Sequence, residues 1–321
     1  MNQHCWRAAT GIALALLVFA PDLAQGFDLQ GHRGARGLAP ENTLIGFQRA
    51  LAEGVSTLEL DIGITRDNVV VIHHDNALNP NLTRDESGTW IAAPIPIRSL
   101  TLSELRRFDV GRMRPGSEFA ARYPAQQARD GQAVPTLGDL FRMVRSQGNS
   151  AVRFNIETKI SPLAPMATAH PEQMVDAIGR ELRRHAMHGR VSLQSFDWRT
   201  LALAQKLRPA LPTVYLSVRQ PWLDKIDPRW NNGMRLADHG SIARMVKAAG
   251  GVAWSPFHAD LGAAEVAEAQ ALGLKVIPWT VNLPAEMERM LDLKVDGLIT
   301  DRPDLARRLL EERRIEIRAS P

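Results

Sequence analysis

The chain has 321 residues, 45% of them hydrophobic and 23% charged, and a formal net charge of +4 at pH 7. Its Lys and Arg residues form no block interleaved with aromatics, which excludes a nucleic-acid-binding stripe. A single cysteine, Cys5, excludes a disulfide scaffold, so the core must be large enough to hold the fold unaided.

In chain order, residues 1–26 read as an export leader. Arg7 supplies a positive start, and "GIALALLVFA" (11–20) is an apolar run about half the length a bilayer crossing needs. Ala24-Gln25-Gly26 is a small-x-small cleavage site. The expectation is a signal peptide over 1–26 and a mature chain of 27–321. That chain is periplasmic or secreted in a bacterium, with no stable membrane anchor after cleavage. Cys5 leaves with the leader.

Short β-rich runs then alternate with amphipathic runs. Residues 27–33 precede a helix near 41–53. "AVRFNIE" (151–157), "RVSLQSF" (190–196), "PTVYLSV" (212–218), "GVAWSP" (251–256), "KVIPWTV" (275–281) and "DGLIT" (296–300) each precede a helical pattern. With "VSTLELDIGIT" (55–65) this makes eight strands. Alternation of this kind predicts an α/β fold, a (β/α)8 TIM barrel. An open doubly wound sheet wants a G-x-G-x-x-G loop, and "GHRGARG" has the wrong spacing. Residues 76–135 are irregular, with one short helical run at 103–107, and read as a subdomain inserted after the second strand.

Within "ELDIGITRDNVVVIHHD" (59–75), "TRDN" is a turn signal between β-branched runs. A turn centred between Asp67 and Asn68 pairs Asp61 with His74 across a hairpin and places both on the face of Glu59. A one-residue slip would exchange His73 for His74. Barrel strands deliver their C-terminal residues to one mouth. Those ends carry His32 and Arg33, Glu59 and Asp61, Glu157 and Lys159, Gln194 and Phe196, Ser217, Trp254, Trp279 and Asn282, and Thr300 and Asp301. Glu59, Asp61 and Glu157 without a thiolate suit a hard divalent cation, Ca2+ or Mg2+, as metal ligands. Arg33 offers a fork for phosphate oxygens, and His32 and His74 suit proton transfer. Together they suit phosphodiester cleavage. Asp75 reads as an orienting residue, and His170, His185, His188, His239 and His258 as caps or surface residues.

The chain resembles the glycerophosphodiester phosphodiesterase family, in particular its periplasmic bacterial branch. The resemblance lies in "HRGARGLAPENT" (32–43), "LELDIGITRDNVVVIHHD" (58–75), "NIETK" (155–159), "LQSFD" (193–197), "WTVN" (279–282) and "DGLITDRP" (296–303). It extends to "LNPNLTRDESGTW" and "SLTLSELRRFDVGR" in the insertion. It implies hydrolysis of glycerophosphodiesters to glycerol 3-phosphate and an alcohol, with Ca2+ or Mg2+. It further implies His32 and His74 as the catalytic pair and Glu59, Asp61 and Glu157 as metal ligands. Arg33, Lys159, Gln194 and Trp279 are then substrate-binding. "ETK" departs from the commoner "EIK", which bears on local packing. An alternative on the same scaffold is a lipid phosphodiesterase of lysophospholipase D type. It needs a greasy surface, for which "WIAAPIPI" (90–97) is the candidate. A glycosidase would leave both histidines and Arg33 idle, and a non-catalytic binding protein would not need the histidine pair.

Overall fold

The structure, a computed structural model, describes residues 26–318. The leader reading lies outside the described residues apart from Gly26. Among the described residues no helix is long and apolar enough to cross a membrane.

The strands form where β-branched and apolar residues cluster. They are β1 (Asp28–Gly31), β2 (Thr57–Ile64), β3 (Val70–Ile72), β4 (Arg153–Thr158), β5 (Val191–Ser195), β6 (Thr213–Ser217), β7 (Ala253–Pro256), β8 (Lys275–Val276) and β9 (Gly297–Thr300). All but β3 run parallel in the order β8-β7-β6-β5-β4-β2-β1-β9, while β3 pairs antiparallel with β2. Pro278 lacks an N–H, so the eighth strand has a ladder of only two residues, shorter than its sequence suggests. The seam is nevertheless bonded. Asp296 N donates to Val276 O at 2.9 Å, Ile299 N to Pro278 O at 2.9 Å and Val281 N to Ile299 O at 2.9 Å. The result is the expected eight-stranded α/β barrel.

Eight helices pack outside the ring: α1 (Leu44–Ala52), α2 (Leu137–Ser146), α3 (Pro171–His185), α4 (Trp198–Leu207), α5 (Ile242–Ala248), α6 (Ala263–Ala271), α7 (Pro284–Asp292) and α8 (Pro303–Glu312). Their starts follow from the sequence. Thr43, Thr136, Asp197 and Ser241 accept backbone N–H groups as caps, and Pro opens α3, α7 and α8. On β2, Leu58, Leu60 and Ile62 pack in the main core, while alternation turns Glu59 and Asp61 to the other face, into the barrel. His185 is not at the surface as its sequence context suggests. It is buried at the end of α3 with its ring 5.6 Å from that of Phe141.

The insertion has more structure than its composition indicates. Its helical run is Leu102–Leu105, a second short helix covers Glu118–Arg122, and Ala77–Leu78 pairs with Ile95–Pro96. Val71, Leu78, Ile91, Ile97, Leu105 and Val134 form its own small core. Ile91 and Ile97 of "WIAAPIPI" point into that core, and Trp90 lies against the guanidinium groups of Arg84 and Arg114. Its two most buried residues thus serve the insertion's core, while Ala92, Ala93, Pro94 and Pro96 are exposed.

The hairpin register differs from the sequence reading by one residue. Ile62 pairs with Ile72 and Gly63 with Val71, and His73 N donates to Asp61 O at 2.9 Å. Asp61 therefore faces His73, not His74. Thr65 N donates to Val69 O at 3.1 Å and Val69 N to Thr65 Oγ1 at 3.0 Å, so the loop is the three residues 66–68, with Asn68 at a positive φ, and the hairpin is centred on Asp67.

After β1 the chain makes a tight turn. Gly34 has φ +88°, and a Cβ there would lie 2.6 Å from the carbonyl carbon of Gly46 in α1. Gly34→Ala is therefore expected to cost more than about 1 kcal/mol of stability. A urea midpoint unchanged from wild type would contradict this close approach.

Candidate active site

The site begins as a register. Asp61 of β2, Glu157 of β4 and Gln194 of β5 occupy one rung across three strands. Glu59 lies two residues earlier on the same face as Asp61. One oxygen each of Glu59, Asp61 and Glu157 fall within 4.8 Å of one another, and all three residues are buried. Glu59 is held from two sides: Arg33 N donates to Oε2 at 2.9 Å and Gln194 Nε2 to Oε1 at 2.7 Å. Asn155 fixes Gln194 in turn, donating to its Oε1 at 2.8 Å and to Gln30 Oε1 at 2.9 Å. Gln194 lines the cavity, but its amide is committed to Glu59 and Asn155. Asn42 donates to Asp61 Oδ2 at 3.0 Å. Arg33 and Asn42 both take left-handed backbone conformations, φ 51° and 54°, uncommon for residues with a Cβ.

Three buried acids this close cannot all ionise easily. Burial, then the charges of Asp61 and Glu157, push Glu59 well above the carboxylate range. Burial likewise raises Glu157 to about 7, against the pull of Lys159, whose Nζ donates to Glu157 Oε1 at 2.8 Å. Against the burial that opposes it, His74, Arg33 and Lys159 hold Asp61 well below. One oxygen, Asp61 Oδ1, is buried with no hydrogen-bond donor, and Lys159 Nζ is 3.7 Å away, within ion-pair range but too far to donate. An orphaned acceptor among oxygen-only donors fits a hard divalent cation.

The two imidazoles are each braced by a carboxylate. Asp301 Oδ1 lies 2.6 Å from His32 Nδ1, and Asn282 fixes Asp301, its Nδ2 donating to Oδ2 at 2.8 Å. Asp75 Oδ1 lies 2.7 Å from His74 Nδ1, as expected of an orienting residue. In both rings this leaves Nε2 free to exchange a proton. Burial, Arg33 and Lys159 hold His74 down to about 4, and burial lowers His32 despite Asp301. Despite the register slip, His74 is the histidine that enters the cavity with His32, Arg33, Glu59 and Glu157. The strand ends at Ile72, so pairing no longer sets the direction of the next side chains. His73 instead lines a separate cavity against the insertion and places its Nδ1 2.9 Å from Asp75 O.

The main cavity has a volume of about 300 Å³ and also receives Lys159, Gln194, Phe196, Trp279, Asn282 and Asp301. Trp254 and Ser217 do not reach it: the Trp254 indole donates to Ser217 Oγ at 2.8 Å inside the wall. Sequence reasoning missed Glu41, which bridges Arg33 and Arg36 at 2.8 and 2.6 Å. It also missed Arg36 and Tyr123, stacked at 4.6 Å, and the bracing role of Asp301. "DGLIT" followed by Asp301 at a strand end was a usable signal for the latter, whereas Tyr123 belongs to the insertion and carries no periodic signal.

The sequence pattern of the glycerophosphoryl diester phosphodiesterase family matches residues 32–305. The chain belongs to that family. It is 29% identical over 279 residues to a glycerophosphodiester phosphodiesterase of Bacillus subtilis (strain 168), covering 85% of this chain and 83% of that one. A crystal structure from Silicibacter pomeroyi DSS-3, provisionally described as a glycerophosphoryl diester phosphodiesterase, has a TM-score of 0.83 at 36% identity and covers 92% of this chain and 96% of that one. The same fold recurs in an Oleispira antarctica phosphodiesterase solved with its product sn-glycerol-3-phosphate, with TM-score 0.66, 20% identity, and 89% and 97% coverage. Phosphodiester hydrolysis is thus this family member's activity, and its acidic triad is suited to a divalent cation.

Because burial holds Glu157 at about 7 and burial with the neighbouring carboxylates raises Glu59, the triad retains protons below neutrality, which a cation must displace. Calcium affinity is therefore expected to rise from pH 5.5 to pH 8, with protons released on binding, in calorimetry run in buffers of different ionisation enthalpy. An affinity flat across that range would contradict the reading.

Proposed function

We propose that the protein hydrolyses glycerophosphodiesters to glycerol 3-phosphate and an alcohol, using Ca2+ or Mg2+ held by Glu59, Asp61 and Glu157. The carrying observation is the buried carboxylate cluster, with its donorless Asp61 oxygen, beside two carboxylate-braced imidazoles in one cavity. When bound, the cation supplies charge neutralisation at the phosphoryl oxygens. Arg33, already anchored through Glu41, and Lys159 hold the phosphate and oppose the charge that develops on it. His32 and His74 take the proton of the attacking oxygen and return one to the departing alcohol at their free Nε2 atoms. Asp301 and Asp75 keep the rings turned for that exchange. The leader-like pattern of residues 1–26 supports a site for this reaction outside the cytoplasm, in a periplasm or secreted. The inward packing of Ile91 and Ile97 supports a soluble diester over a lipid substrate.

Purified mature protein is expected to release glycerol 3-phosphate from glycerophosphocholine and related diesters. EDTA should abolish turnover and added Ca2+ or Mg2+ restore it; full turnover in EDTA would remove the metal from the proposal. His32→Ala and His74→Ala are expected to lower kcat by about 10²-fold to 10⁴-fold, and His73→Ala to keep most activity. Loss confined to His73→Ala would reassign the second imidazole.

A further inference from the structure

The catalytic cavity has a neighbour. A second cavity of about 300 Å³ is lined by Asp75, Asn76, Ser161, Lys225 and Trp230. It shares His74, Glu157, Lys159 and Phe196 with the first. His32 and Arg33 line the first cavity only. The shared set includes Lys159, which holds the phosphate in the proposed reaction, and His74 beside it, so a diester held there can extend one substituent into each cavity.

The second cavity has an uneven charge balance. Its two carboxylates are committed, Asp75 to His74 Nδ1 and to Asn79 Nδ2 at 3.1 Å, and Glu157 to Lys159. Lys225 has no ion pair and no side-chain hydrogen bond among the described residues. Its ammonium lies 3.2 Å over the Trp230 ring and 6.0 Å from that of Phe196. The loop that carries it is fixed: Lys225 N donates to Val218 O at 3.0 Å, Asn231 Nδ2 to Lys225 O at 3.2 Å, and Trp198 N to Trp230 O at 2.8 Å. Burial and Lys159 lower Lys225 to about 8, which leaves it charged at neutral pH. The aromatic faces that would cage a quaternary ammonium are thus covered by the protein's own cation. A cationic head group would meet Lys225 and Lys159 at like charge.

We infer that this second cavity receives the leaving alcohol and that Lys225 selects an alcohol bearing its own anionic group, a carboxylate or a phosphate, over a cationic one. The inference rests on the proposed diesterase reaction, whose chemistry it leaves unchanged.

Glycerophosphoserine and glycerophosphoethanolamine differ by one carboxylate and make the test. The wild type is expected to favour the serine diester in kcat/KM by about tenfold, the size of one charge-assisted contact. Lys225→Met should bring the ratio to about one, Lys225→Glu should invert it and Lys225→Arg should keep it. Reading a ratio within each variant cancels any general loss of folded enzyme. A wild-type ratio near one, or a ratio unmoved by Lys225→Met and Lys225→Glu, would overturn the assignment. If neither diester is hydrolysed, the reaction itself is wrong. The selectivity is then read from the calorimetric Kd of the same two diesters on the same proteins, where the same pattern supports Lys225 and equal affinities overturn it.

Discussion

Three carboxylates buried within reach of one another cannot all remain charged without a counter-charge, and the mouth of this barrel is arranged around that constraint. The cluster of Glu59, Asp61 and Glu157 draws Arg33 and Lys159 to its edge, turns the Arg33 backbone N–H onto Glu59, and recruits Gln194 and Asn42 as donors. Even so, Asp61 Oδ1 is left unanswered. A buried acceptor without a donor is costly, and a divalent cation is the partner that oxygen-only ligands answer best.

The barrel makes such a cluster affordable in geometry, because hydrogen-bonded register sets the positions. Once β2, β4 and β5 pair, Asp61, Glu157 and Gln194 fall side by side with no further adjustment. The opposite wall of the interior is apolar: Val214, Ala253, Ile277 and Ile299 form a separate cluster from the other strands. The interior is therefore polar along β2, β4 and β5 and apolar along the facing strands, and that apolar wall, which reaches the cavity at Ile299, lowers the local dielectric around the charged groups. The turn after β1 and the insertion then complete the site, the first by bringing His32 and Arg33 over the cluster, the second by adding Tyr123 against Arg36.

Much of this was legible in the sequence because it follows from period and position. Strand-helix alternation gave the barrel, and alternation along 57–62 gave the inward carboxylates. The hairpin register differs from the sequence expectation by one residue because the loop holds three residues, 66–68, centred on Asp67, where the expected turn is centred between Asp67 and Asn68. His74 still reached the cavity, since pairing had ended before it. What stayed hidden is non-periodic: the Glu41 bridge, the Asn155 relay and Lys225 come together through loops and long-range contacts that no local spacing encodes.

The claim on which the rest depends is that the acidic triad is a cation site. Anomalous diffraction from crystals grown with Mn2+ or a lanthanide in place of Ca2+ tests it directly. The expected result is a peak at about 2.3–2.6 Å from oxygens of Glu59, Asp61 and Glu157, the oxygen being Oδ1 in the case of Asp61. A saturating soak that leaves this position empty, with the three carboxylates unmoved and hydrogen-bonded to one another, would contradict it.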